Sequence, residues 1–101
     1  MRPILEKLEV VEMGRVLIVN LKHGGHVTKH NDQGTYADHY SRFHLVVTSN
    51  EWCSQTCGDQ KQKFEVGDVW WFNHKKLHTA DNVGTTDRVH IIFDCVTKYP
   101  L

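Results

Sequence analysis

"RFHLVVT", residues 42–48, alternates without a break: Phe43, Leu45 and Val47 fall on one side of an extended chain, Arg42 and His44 on the other. Aromatic and β-branched residues dominate it, so the stretch reads as a β-strand. The pattern returns in "RVHIIFDCV" (88–96), where Val89, Ile91 and Phe93 alternate with Arg88 and His90. Shorter extended pieces surround these two. "RVLIVNLK" (15–22) is a β-branched run ended by Gly24-Gly25, and "HVTKHND" (26–32) alternates weakly. "CGDQ" (57–60) reads as a turn between strands near 52–56 and 61–66, and "VGDVWWFN" (66–73) as a Gly-Asp turn entering an aromatic strand. "QGTYADHY" (33–40), "NHKKLH" and "DNVGTTD" read as loops, the last two around a short extended piece. Many short strands with turn signals about every 8–12 residues predict an antiparallel sandwich or small barrel. Helical spacing is confined to residues 3–12, where Ile4, Leu5, Leu8 and Val11 share one face and Pro3 suits a first turn.

The chain has 101 residues, which predicts one domain spanning 1–101 with a core of little surplus. Lys plus Arg and Asp plus Glu number 12 each, so the formal charge is zero. That balance gives no footing for nucleic acid or an anionic membrane as partner. No apolar run approaches the ~18 residues of a membrane span, and no signal peptide is visible. Three cysteines, Cys53, Cys57 and Cys95, lack framework spacing and point to free thiols in a reducing, cytoplasmic compartment. The C-x₃-C spacing of Cys53 and Cys57 has no second pair to make a zinc knuckle.

Eight histidines are the unusual total. His30 and Asp32 lie two apart, hence on the same side of an extended segment. Arg42 and His44 form a second such pair, and Arg88 and His90 a third, with His78 not far ahead. Each pair alone fits the solvated face of a half-buried strand. Three together point to a lined site. An imidazole and a carboxylate two apart, completed by a distant histidine such as His78, give the facial triad of non-haem Fe(II) oxygenases. Zinc competes for the same donors. An open iron site fed by an oxoacid also needs a cation for the far carboxylate, and arginine binds carboxylate at two points.

"HNDQGTYADHYSRFHLVV", "GDVWWFNHKKLHTADNVGTTDRVHIIFD" and the "GGHVTKH" lead-in resemble the aspartyl/asparaginyl β-hydroxylase family over about residues 14 to 96. The resemblance implies a double-stranded β-helix, the cupin-type jelly roll, and an oxygenase dependent on Fe(II) and 2-oxoglutarate. It implies hydroxylation of a peptidyl or amino-acid side chain, coupled to oxidative decarboxylation of 2-oxoglutarate. It casts His30 and His78 as metal ligands. Asp32 sits where many members carry the metal carboxylate and some lack it. Arg88 would pair with the distal carboxylate of 2-oxoglutarate, Arg42 and His44 would contact its other end, and His90 would line the same cavity.

The chain is shorter than the family's usual members, which carry additional covering elements. Phe43, Leu45, Val47, Val89, Ile91 and Phe93 therefore need cover from the two sheets or from a second subunit, a homodimer. Of the adjacent Trp70 and Trp71, one belongs to the core and the other, Trp71, to the site. Tyr36 and Tyr40 are placed to reach a small-molecule or peptide substrate from the loop after His30 and Asp32. His26 is the alternative ligand, four residues before His30, while His23, His39 and His74 read as surface or turn residues. Two rivals stand beside the oxygenase: a non-catalytic metal-binding cupin that binds a ligand or partner, and a zinc hydrolase or isomerase on the same barrel.

Overall fold

The alternating stretches at 42–48 and 88–96 lie side by side in the middle of one sheet. The computed structural model describes residues 1–99. Its strands are β1 (Arg2–Pro3), β2 (Val10–Leu21), β3 (His26–His30), β4 (Ser41–Thr48), β5 (Cys53–Cys57), β6 (Gln60–Gln62), β7 (Val69–Phe72), β8 (His78–Asn82) and β9 (Arg88–Thr97). One sheet runs β1-β7-β4-β9-β2 and the other β3-β8-β5-β6, with every pairing antiparallel. Leaving out the short β1, the eight strands β2–β9 pair first with last, second with seventh, and so inward. That is the strand order of a jelly roll, the two-sheet route to an all-β fold.

The polar faces of β4 and β9 turn inward. His44, Arg88, His90 and Asp94 are all buried, and Arg42 is half-buried beside them. An apolar cluster of Val46, Cys57, Phe64, Trp70 and Phe72 fills part of the space between the sheets. Phe64 and Trp70 stack within it, ring centroids 4.6 Å apart. The remainder of the interior is the polar cavity described below.

The outer face of the larger sheet is partly covered by the chain itself. Phe43 is fully buried there and stacks on Phe93 at 5.2 Å. Residues 4–9 link the two sides of this sheet: the Ile4 N–H donates to the Val69 carbonyl (2.8 Å) and the Lys98 N–H to the Glu9 carbonyl (2.8 Å). Val47, together with Val16 and Ile18 on the edge strand β2, stays exposed. Cys53, Cys57 and Cys95 are buried free thiols.

Two sequence expectations are corrected. Residues 3–12 form no helix. Leu5 is 92% exposed, so the helical face that would have buried it has no core to meet. Pro3 instead ends β1 at the sheet margin, where a missing N–H costs no ladder bond. The helix among the described residues is α1 (Thr35–His39), inside the stretch read as a loop. Gly34, at φ 101°, turns the chain into it. Buried His74 fastens it, its ring Nε2 lying 3.0 Å from the Ala37 carbonyl. No helix among the described residues is long and apolar enough to cross a membrane.

Candidate metal centre

His30 and His78 are partners in the antiparallel register of β3 and β8. Residues facing each other across two strands bring their side chains together, so the imidazoles meet with ring centroids 4.3 Å apart. Asp32 lies just past the end of β3, and its N–H donates to the His74 carbonyl (2.8 Å), which ties it to the turn before β8. One ligand atom from each of His30, Asp32 and His78 lies within 4.8 Å of the others. Asp32 Oδ1 is 3.8 Å from His30 Nε2.

Ring orientation suits a metal. His30 Nδ1 lies 2.7 Å from the Thr28 carbonyl, and His78 Nδ1 lies 2.7 Å from the Lys76 carbonyl. A carbonyl only accepts, so each ring carries its proton on Nδ1 and offers the Nε2 lone pair. A carbonyl behind a histidine is the usual support of a metal ligand. Burial also lowers the His78 pKa, which favours the neutral form a metal needs. Two neutral nitrogens and one carboxylate on one side of a cation fit Fe(II) or zinc.

His30 and His78 line a cavity of about 180 Å³ between the sheets, and Arg42, which holds Asp32, lines it too. Val19, Val27 and Ile92 supply apolar wall, while Arg42, His44 and Arg88 supply polar groups. Arg88 is 4% exposed. Its Nη1 donates to Gln55 Oε1 at 2.9 Å, its Nε has no partner, and no carboxylate among the described residues pairs with it. Burial lowers its pKa, yet a guanidinium stays charged. It is a buried cation in need of an anion.

His44 and His90 stand behind one another, Nδ1 to Nδ1 at 2.9 Å. His90 Nε2 is buried without a partner. A bare lone pair there costs less than a stranded N–H, so the shared proton belongs on His90 Nδ1. His44 then carries its proton on Nε2. Burial holds both rings neutral, His44 well below the ordinary histidine value and His90 at about 3.

Arg42 sits differently from Arg88. Its Nε and Nη2 donate to the two oxygens of Asp94 (2.8 and 3.0 Å), and its Nη1 donates to Asp32 Oδ2 (3.1 Å). His90, Trp71, Tyr36 and Tyr40, expected at the site, and His26, the alternative ligand, do not line the cavity. His90 lies behind His44, against Phe64. Trp71 points outward because Trp70, its neighbour, takes the inward position in the core. Tyr36 donates to Asp94 and Tyr40 to Glu12, so neither reaches over the opening. His26 pairs with Asp81 at the far end of β3.

Gln55 and Asp94 went unread in the sequence. Gln55 shares the inward face of β5 with Cys53 and Cys57, and Asp94 lies on the inward row of β9 with Arg88, His90 and Ile92. Extending the two-residue period along each strand finds both.

Residues 2–98 match the sequence profile of the family described as aspartyl/asparaginyl beta-hydroxylase. The chain is also similar to the L-proline cis-4-hydroxylase of Rhizobium meliloti (strain 1021), 26% identical over 84 residues. That alignment covers 82% of this chain and 30% of the relative, so the chain spans under a third of that protein's length.

Proposed function

Because the chain belongs to the aspartyl/asparaginyl beta-hydroxylase family, and so to a family of hydroxylases, we propose that it is an Fe(II)- and 2-oxoglutarate-dependent oxygenase acting on an amino-acid or peptidyl side chain. The observation that carries this reading is a His–Asp–His cluster whose two imidazoles line a cavity that also holds a buried arginine with no carboxylate partner among the described residues. A cation there favours an anionic ligand. The volume, about 180 Å³, is small beside the ~300–1,000 Å³ of drug-sized sites and suits a short organic acid.

Iron with 2-oxoglutarate would supply the oxygen chemistry of hydroxylation. The chain's own residues do the rest. His30, Asp32 and His78 would hold the metal. Arg88, its Nη1 donating to Gln55, would bind the far carboxylate of the co-substrate. His44 offers an N–H donor from the cavity wall. Val19, Val27 and Ile92 keep water from that end of the cavity. The name of the relative gives proline as one amino-acid substrate used by such a protein.

The test is succinate release from 2-oxoglutarate, in air, with added Fe(II). Uncoupled turnover needs no knowledge of the true substrate. His78→Ala abolishes it, and Arg88→Gln raises the 2-oxoglutarate requirement by at least about tenfold, the loss of one charge-assisted contact. Tight Fe(II) binding without succinate from any 2-oxoglutarate concentration would instead favour a metal-binding module that turns over nothing.

A further inference from the structure

We propose that Arg42 is a positioning residue that fixes Asp32 as a one-oxygen metal ligand. The inference rests on the metal-centre reading above.

Asp32 lies beyond the end of β3, so the strand ladder does not hold its side chain. Its two oxygens have different fates. Oδ1 faces His30 Nε2 at 3.8 Å, and Oδ2 accepts from Arg42 Nη1 at 3.1 Å. The second oxygen is tied off, which leaves the first for a cation. Arg42 is itself fixed. Asp94 takes its Nε and Nη2 in a fork-on-fork pair at 2.8 and 3.0 Å. Asp94 is 2% exposed and also accepts from the Tyr36 hydroxyl (2.8 Å), which in turn accepts from the Arg15 N–H (2.9 Å). The chain of bonds thus runs from β2 through α1 and β9 to the metal carboxylate.

Charge separates the two arginines of the cavity. Arg42 already faces two carboxylates, Asp32 and Asp94, so one cation meets two anions. Its Nε, Nη1 and Nη2 all donate to carboxylates already. Arg88 meets none among the described residues, and is the place for one.

The test uses Co(II) alone, bound to the whole chain without 2-oxoglutarate, read by calorimetry and by the visible d–d bands. Arg42→Gln weakens Co(II) binding by about 10–100-fold, the usual effect of removing the support of a metal ligand, and shifts the bands. In an Asp32→Ala background the same change costs less than about threefold, because the group it positions is gone. Arg42→Lys, which keeps a cation beside Asp94, serves if Arg42→Gln does not fold; it still loses at least about threefold, since a point charge cannot span both carboxylates. Unchanged Co(II) affinity and bands in these variants, with weaker 2-oxoglutarate binding, would overturn the proposal in favour of a co-substrate contact. A full loss persisting in the Asp32→Ala background would overturn it as a general effect on the fold. A native chain that binds no Co(II) would bring down the metal centre itself, and the proposal with it.

Discussion

The imidazoles of His44 and His90 have one proton between their facing nitrogens, and neither ring can take a second without placing a charge between the sheets. Their folded-state pKa values are depressed by burial, His90 to about 3, from an ordinary value near 6.5. The unfolded chain therefore binds protons first as pH falls below about 6.5. Stability is full above that pH and declines as it drops toward the folded values, by up to about 1.4 kcal/mol per pH unit for each histidine. Urea unfolding at pH 7 and pH 5 checks this: the midpoint falls, and a His90→Asn variant shows a shallower fall. At this scale the sequence was informative. The two-residue period puts Arg42 with His44 and Arg88 with His90. It could not say which side of each strand faced in, since buried and solvated polar faces alternate identically. Nor could it rank the two arginines, because their difference lies in Asp94, Asp32 and Gln55, which reach them from other strands or from beyond a strand end.

Among the elements, the connection from β8 to β9 decides where Arg88 enters the interior. Fully buried Asn82 holds it. Its amide nitrogen donates to the Leu21 and Thr86 carbonyls (2.9 Å each), and its oxygen accepts from the Gly84 N–H (3.1 Å) and from Asn50 Nδ2 (3.2 Å). Gly84 has no room for a side chain, because a Cβ would lie 2.3 Å from Asn50 Oδ1. Asn82→Ala strands the buried Leu21 carbonyl and loosens the partly exposed Asn50, Gly84 and Thr86, and lowers stability by about 1–3 kcal/mol, the cost of one unsatisfied buried group. Equilibrium denaturation measures the loss, and a drop below 1 kcal/mol would refute the hub. The strands themselves were legible from alternation and turns. The N-terminal periodicity misled because it takes a packing partner to make a helix, and Leu5 has none. α1 was hidden because five residues are too few to show a period.

Across the whole molecule, the pairing order joins parts of the chain that are far apart in sequence. β2 bonds along β9 and β3 along β8. Each such pair needs a long loop closed before it gains a bond, so folding is expected on the scale of about milliseconds to seconds or slower, against microseconds for local folds. Stopped-flow refolding from urea measures it; a sub-millisecond phase carrying the full amplitude would contradict it. The two-sheet architecture was foreseeable from many short strands, but their order was not, because alternation says nothing of neighbours. The three buried thiols have a practical outcome. Cys53 and Cys57 lie on β5 of one sheet and Cys95 on β9 of the other, all unbridged. An alkylating reagent added to the native protein can modify them only when the surrounding structure opens, so the rate of maleimide uptake, resolved by mass at each cysteine, clocks the opening of each half of the molecule separately.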